Sequence, residues 1–260
     1  MEPPQLLTTV KARFPLALIV GLGPLAGTAP AAFHLMQVEQ VVGSINGNTS
    51  AQAIQLRMRS PSQPFVSQSS IWVADAAGAN RILLLNIPTD VSNSNTGVRV
   101  LLATLGFTDL MNSAGPAFAP DFTLAAPIPA SYFTAGRLTF EADGGTVATP
   151  GVIYWSLAWG GSNYTGPNTG AIDNDSNGNF GPAFAGPLPS TGRQGIRFQG
   201  AAGAPSTSNS TDYALSPNPA TVVRNDGASF VVVPEPGTFA ALGALALGTL
   251  IFSRRRFKAP

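Results

Sequence analysis

The chain has 260 residues, only 10% of them charged, and its 14 basic and 13 acidic side chains leave a net charge near zero. Low charge together with 44% hydrophobic residues is the opposite of a disordered composition. The absence of cysteine excludes a disulfide scaffold and a thiolate zinc site. The 28 glycines and 23 prolines do not suit a helical bundle, and the arginines form no basic stripe for nucleic acid. The composition predicts a β-rich globular protein that does not bind nucleic acid.

Residues 1–31 have the three parts of a secretory signal peptide. Lys11 and Arg13 form a basic start, and an apolar run begins at Phe14. Ala29 and Ala31 then occupy positions −3 and −1 of a cleavage site. The apolar run is shorter than the roughly 20 residues that a membrane span needs. We expect a signal helix that is removed on export; an uncleaved anchor or a buried core segment is the alternative.

The last part of the chain, residues 234–260, combines a proline-flanked acid, an apolar stretch and a basic end. No residue over 237–252 carries a charge, which predicts a transmembrane helix followed by a positive cytoplasmic stop. At 1.5 Å per residue this stretch reaches roughly 24 Å, slightly less than a hydrocarbon core of ~30 Å. The flanking residues are Val233, Pro234, Glu235 and Pro236 before the stretch and Arg254, Arg255 and Arg256 after it.

This order and spacing resemble the PEP-CTERM sorting signal of bacterial surface proteins. The resemblance implies a Gram-negative-type envelope and an exosortase, a membrane cysteine protease that cuts near the Pro-Glu-Pro motif. It makes Pro234, Glu235 and Pro236 substrate residues of another enzyme. The partners it implies are an exosortase-type protease and, transiently, the inner membrane. The expected location is the cell envelope, the cell surface or the extracellular space.

The body between the two ends is predicted to be all-β, because its hydrophobic pattern has a period of two. Residues 54–59 alternate cleanly between apolar and polar side chains. Turn-forming pairs such as Asn46-Gly47 separate the strand-like runs. Seven or eight short strands at this spacing predict a β-sandwich over residues 32–200, flanked by the signal helix and the transmembrane helix. The other runs lie at 35–42, 71–73, 82–85, 98–102, 137–141 and 152–159.

The strands at 33–42, 51–59 and 71–75 resemble the start of the lamin-tail-like immunoglobulin-fold domains of secreted bacterial proteins. The resemblance covers residues 33–105 and implies an immunoglobulin-like sandwich. The chain departs from that family at Gln55, where the family has an acidic residue.

Residues 201–233 are rich in Ser, Thr, Pro and Gly. Such a composition is typical of a flexible tether, here placed before the sorting signal. The alternative is a loop that leads into a last strand at 229–233.

One run of residues matches the beginning of a calcium-binding loop. Asp173, Asp175 and Asn177 alternate along the chain and Gly178 follows, as in the loop whose oxygens converge on Ca²⁺. The twelfth position is Phe184 rather than a bidentate glutamate, which excludes an EF-hand. A shortened calcium loop with further ligands from elsewhere and a plain polar turn are the two interpretations.

Trp155 and Trp159 lie on the same face of the strand predicted at 152–159. If that face is exposed, the two indoles form a platform for sugar rings. If it points inward, they belong to the core of the sandwich.

The sequence contains few combinations of residues that are typical of catalytic sites. His34 is the single histidine, and the chain has no Gly-x-Ser-x-Gly motif. Glu141 and Asp143 share a strand face, whereas glycoside hydrolysis usually takes its two carboxyl groups from separate elements. We therefore predict no enzymatic activity, no catalytic residue and no cofactor apart from the calcium considered above.

Together these features predict an exported structural or adhesive protein of the cell surface or extracellular matrix, processed by an exosortase-type system. A carbohydrate-binding module of the exopolysaccharide matrix, acting through Trp155 and Trp159, is the alternative function.

Overall fold

Two β-sheets facing each other form the body of the protein. The computed structural model describes residues 33–115, 117–169, 180–206 and 208–233. Within these ranges the helices are α1 (Leu105–Ala114) and α2 (Asn209–Asp212). The strands are β1 (Met36–Val42), β2 (Ala53–Met58), β3 (Ser69–Ala74), β4 (Ile82–Asn86), β5 (Arg99–Ala103), β6 (Phe122–Thr123), β7 (Gly136–Ala142), β8 (Ile153–Trp159), β9 (Ile196–Phe198), β10 (Tyr213–Leu215), β11 (Thr221–Val223) and β12 (Ser229–Val231).

The larger sheet has six strands in the order β10-β9-β1-β2-β5-β6, and the smaller has four in the order β4-β3-β7-β8. All pairs are antiparallel except the short β5–β6 pair. Strands β11 and β12 form a separate hairpin. The prediction of an all-β, sandwich-like fold is therefore confirmed, and each strand-like run in the sequence corresponds to an observed strand.

The main hydrophobic core lies between the two sheets. Alternation along β2 places Ile54, Leu56 and Met58 in this core, where they join Phe140 of β7 and Trp155 of β8. All five side chains are fully buried. Removing this apolar surface from water is the main stabilising contribution to the sandwich.

A second core, which is not among the sequence-based predictions, covers the outer face of the six-stranded sheet. Helix α1 begins at the N-cap Thr104, whose Oγ1 accepts a hydrogen bond from the Phe107 amide at 3.2 Å. Phe107, Leu110 and Met111 follow at helical spacing and pack on this face together with the β11–β12 hairpin. Both faces of the large sheet are therefore buried over much of their area.

The turn after β1 follows the expected chemistry. Asn46 and Gly47 have φ angles of 51° and 91°, and the backbones of Ile45 and Asn48 bridge across them. Positive φ at both central residues characterises the tight turns that asparagine and glycine accommodate.

The segment 201–233 is folded into the body rather than forming the expected tether. Within it, β10 pairs with β9 at the edge of the six-stranded sheet, and β11 pairs with β12. Tyr213 is 3% exposed and belongs to the main core. Its aromatic ring and the valines of β11 and β12 supply buried surface that a Ser/Thr/Pro-rich composition does not reveal. The alternative, a last strand within 229–233, corresponds to β12.

Candidate functional site

A buried glutamate lies at a bulge in β1, on the outer face of the six-stranded sheet. The register between β1 and β2 shifts between Val38 and Gln40, while Val38 and Val41 both remain in the main core. The additional residue places both Glu39 and Gln40 on the outer face. Glu39 is fully buried.

Three arginines and one amide surround the Glu39 carboxylate. Arg99 donates to it from Nε at 2.7 Å and from Nη2 at 3.0 Å, and Gln55 Nε2 donates at 2.6 Å. Arg57 Nη1 lies 3.2 Å and Arg197 Nη2 3.6 Å from Oε1. Gln55, the position where the lamin-tail resemblance expects an acid, thus hydrogen-bonds to an acid on the neighbouring strand.

Electrostatics keep Glu39 charged despite its burial. Burial alone would raise the pKa of Glu39, but the hydrogen bond from Arg99 and the charges of Arg57 and Arg99 outweigh it and hold the pKa below its usual value. The cluster is therefore ionised at neutral pH and ties together β1, β2, β5 and β9.

A second buried ion pair lies on the outer face of the four-stranded sheet. Arg81 Nη2 donates to both carboxylate oxygens of Glu141, at 2.6 and 2.7 Å, and its guanidinium lies 4.4 Å from the ring centroid of Trp72. Thr139 Oγ1 and the Gly151 amide also donate to this carboxylate. These partners contact both oxygens of the fully buried Glu141, whereas Asp143, two residues later, is exposed.

Of the two interpretations of Trp155 and Trp159, the structure shows the core placement, because both indoles are fully buried in the main core and present no platform to a glycan. Trp155 Nε1 donates to Tyr213 Oη at 2.7 Å, and that hydroxyl donates to the Val38 carbonyl at 2.7 Å. Trp159 Nε1 donates to the Tyr132 carbonyl. The two residues do share one face, as predicted, but that face points towards the other sheet.

A cleft on the described surface lies beside β7 and β8, with a volume of about 640 Å³. Asp143 is exposed at its edge, and partial burial raises the pKa of that carboxyl. Val152 is 43% exposed, which is unusual for a valine next to a strand. The described lining consists of Arg137, Ala142, Asp143, Gly144, Pro150, Gly151, Val152, Ile153, Pro167 and Thr169.

Arg137 is the buried cation of this cleft. Its side chain is 3% exposed, and Nη1 donates to the Pro167 carbonyl at 3.3 Å. Burial raises the pKa of the neighbouring Tyr164, and the charge of Arg137 and a hydrogen bond from it oppose that shift. Among the described residues, Arg137 Nε has no hydrogen-bond partner. In the sequence, Arg137 is only the first residue of the strand-like run 137–141.

Most of the other predicted site residues lie outside the described ranges. They are Pro234, Glu235 and Pro236 of the sorting motif, Arg254, Arg255 and Arg256 of the membrane stop, and Asp173, Asp175 and Asn177 of the calcium-loop match. The signal peptide 1–31 and the transmembrane helix 237–252 also lie outside them.

The described part of the chain comprises residues 33–115, 117–169, 180–206 and 208–233. There, no group of three or more His, Cys, Asp or Glu side chains is arranged to hold a metal ion. Within the same ranges, no helix has the length and apolar character that crossing a membrane requires.

Comparisons with known proteins add no family assignment. No family model, curated protein or solved structure matches the chain.

Proposed function

We propose that the protein is an exported structural or adhesive component of the cell surface or extracellular matrix, sorted by an exosortase-type system. The proposal combines the signal peptide at residues 1–31 and the PEP-CTERM resemblance at 234–260 with a β-rich body that lacks cysteine. Such a body folds without disulfide formation, so its stability does not depend on the redox conditions it meets after export.

The place of the sorting motif in the sequence, directly after the last described residues, supports this proposal. Val232 is fully buried, and its amide donates to the Ala220 carbonyl at 2.9 Å. Val233 is partly buried against the second core. Pro234 is the next residue along the chain, so the motif directly follows the last described residue. An extended Pro-Glu-Pro segment at that point suits a protease that binds it next to a folded substrate.

The proposal includes an immunoglobulin-like sandwich as the finer description of the fold. Strands β1 and β2 pair as a hairpin, and the chain then crosses from one sheet to the other to form β3. This agrees with the order of strands in the lamin-tail resemblance. The contact of Gln55 with Glu39 supplies a carboxylate beside the position where that family has its own acid.

Cell fractionation in a Gram-negative host that carries an exosortase tests the sorting role. The full chain is compared with residues 1–233 and with a Pro234→Ala, Glu235→Ala variant. We expect the full chain to reach the cell surface or medium without residues 237–252, and both altered chains to distribute differently. Asp109→Ala, which removes an exposed acid from α1, is the control and should be sorted normally. Identical distribution of all four chains would refute the sorting role.

The amines of the chain allow a direct measurement of processing. Lysine occurs only at Lys11 and Lys258, within the predicted signal peptide and the predicted sorting tail. Amine-specific labelling followed by mass spectrometry should therefore find a single labelled amine in the mature protein, at a new N terminus near Ala32. Label on Lys11 or Lys258 in the exported protein would show that the corresponding end is retained.

A further inference from the structure

A second, smaller cleft lies where the turn before β5 meets the β11–β12 hairpin. Thr96, Gly97 and Arg99 line it from the first segment, and Arg224 and Gly227 line it from the hairpin. Its volume is about 270 Å³, which is less than drug-sized ligands usually occupy. The cleft therefore has room for one small charged group rather than for a chain of several sugar units.

Buried hydrogen bonds hold the two walls of this cleft together. Asn225 is 7% exposed, and its Nδ2 donates to the carbonyl of Arg99 at 3.1 Å and to that of Asn93 at 3.0 Å. The Asn225 amide donates to Asp121 Oδ2, which also accepts from the Leu101 amide. These bonds fix the hairpin against the start of β5. Because the cleft is formed before a ligand arrives, binding costs little in ordering the protein.

Two arginines of this cleft are accessible from solvent. The side chain of Arg99 is 27% exposed and that of Arg224 is 30% exposed. Arg99 uses Nε and Nη2 for Glu39, and Arg224 uses Nη2 for Asp226. The hydrogen bonds among the described residues do not include Nη1 of either arginine, and neither Nη1 is among the buried atoms that lack a partner. Each arginine thus has a donor nitrogen that reaches solvent and is available to a ligand.

The charges behind Arg99 favour an anion in the cleft. Arg57, Arg99 and Arg197 surround the single carboxylate of Glu39, which leaves an excess of positive charge in the cluster. Burial lowers the pKa of Arg57 against the attraction of Glu39, and the like charges of Arg99 and Arg197 lower it further. An anion beside Arg99 would reduce this repulsion.

The donors of the cleft match an anion with more than two oxygens. Arg99 and Arg224 contribute guanidinium N–H groups, and the exposed Thr96 contributes a hydroxyl. A sulfate or phosphate group has an oxygen for each of these three side chains, whereas a carboxylate has only two oxygens. The carboxylate of Asp226 already accepts from Arg224 and competes with such a ligand, and Asp121 is a further negative charge close to Arg224.

We propose that this cleft binds a tetrahedral oxyanion, a sulfate or phosphate group, with Arg99, Arg224 and Thr96 as its donors. The inference goes beyond the proposed sorting role, since it identifies a ligand class for the folded body. A free ion and an ester of a sugar carry the same group, and the choice of probes distinguishes them. A failed binding test and a failed sorting test are separate results, because the first uses purified protein and the second uses cells.

NMR titration of the isotope-labelled, purified full chain at constant ionic strength tests the proposal. The probes are sodium sulfate, sodium phosphate, the sulfate and phosphate monoesters of glucose, and sodium acetate. We expect saturable shifts of the Gly97 and Gly227 amide signals with sulfate or phosphate, and about tenfold weaker binding of acetate. Tighter binding of the esters than of the free ions would identify an esterified ligand; otherwise the free ion is the ligand. Equal binding of acetate, no saturation at millimolar concentration, or shifts spread over the whole surface would overturn the proposal.

Four variants separate the cleft from general charge attraction. Arg224→Gln should weaken binding about tenfold, and Thr96→Val, at an exposed position, should weaken it by a smaller factor. Asp226→Asn should tighten binding, because it removes the carboxylate that competes for Arg224. Arg193→Gln is the control, since Arg193 is partly exposed and does not line the cleft. Arg99 is left unaltered because it also pairs with the buried Glu39.

The opposite signs expected for Arg224→Gln and Asp226→Asn make the test specific. If the ion pair between these two residues only supported the hairpin, both changes would weaken binding. Thermal unfolding curves establish that each variant is folded. Binding that Asp226→Asn does not tighten, binding that Arg224→Gln leaves unchanged, or an equal loss in Arg193→Gln would contradict the assignment.

Discussion

Replacing Glu39 with glutamine should cost about 3–5 kcal/mol of unfolding free energy. The glutamine keeps the size of the side chain but removes the charge that faces Arg57, Arg99 and Arg197. It also directs an amide N–H₂ group towards donors, and so loses acceptor capacity for contacts that are now 2.6 to 3.2 Å long. Arg99 and Arg197 are about a third exposed, so solvent compensates part of the loss and the lower end of the range is expected.

Urea unfolding followed by tryptophan fluorescence measures this cost, because Trp72, Trp155 and Trp159 are all buried in the folded state. Asp226→Asn is the matched control, because it makes the same chemical change in the ion pair with Arg224, where both side chains are substantially exposed. The control should cost less than about 1 kcal/mol. If Glu39→Gln and Asp226→Asn cost the same within error, the argument that burial makes the Glu39 cluster structurally important is refuted.

Three further predictions concern other features of the fold. The pKa of Glu39 is lowered in the folded state, so its ionised carboxylate contributes fully to the free energy of unfolding above the ordinary pKa near 4.5. That contribution disappears as the pH falls through the folded-state pKa. In urea titrations, the stability difference between the unaltered chain and Glu39→Gln should therefore shrink below about pH 4. Asn209→Ala should cost about 1–3 kcal/mol and speed hydrogen exchange at Ala158, whose amide now donates to the Asn209 side chain at 2.8 Å. Phe107→Ala should cost about 3–5 kcal/mol in thermal unfolding, whereas Leu105→Ala, at a 65% exposed position of the same helix, should cost less than about 0.5 kcal/mol.

The strands of the sandwich could be predicted because their pattern is local. Alternation over 54–59 and 137–141, and the aromatic run at 152–159, correspond to β2, β7 and β8. The three-residue strands β9 to β11 were missed because so short a run gives no periodicity, and their pairing partners lie far away along the chain. Helix α1 did carry a signal, since Thr104 precedes apolar residues at helical spacing.

The candidate sites were harder to predict, because they depend on which face of each strand is covered. Periodicity correctly places Trp155 and Trp159 on one face but does not tell whether that face meets solvent or the other sheet. Gln55 and Arg57 occupy the polar face of β2, which a sequence pattern would leave exposed. Both are nevertheless buried, because Gln55 Oε1 accepts from the Val223 amide and Arg57 Nη2 donates to the Gly200 carbonyl. Each of these hydrogen bonds joins residues more than 140 positions apart in the sequence, so local composition cannot predict them.

The bulge at Glu39 connects the charge cluster to the register of the sheet. A buried ion pair is often no more stabilising than apolar residues of the same volume. The cluster is therefore better explained by its effect on alternative pairing registers of β1 than by its contribution to stability. If β1 slipped by one residue against β2, Glu39 would move from the outer face to the sandwich core, far from Arg57 and Arg99. The cost of an unpaired carboxylate among Ile54, Leu56 and Trp155 excludes that arrangement. A one-residue slip of β1 would therefore bury the Glu39 carboxylate without its partners, and the observed register avoids that cost.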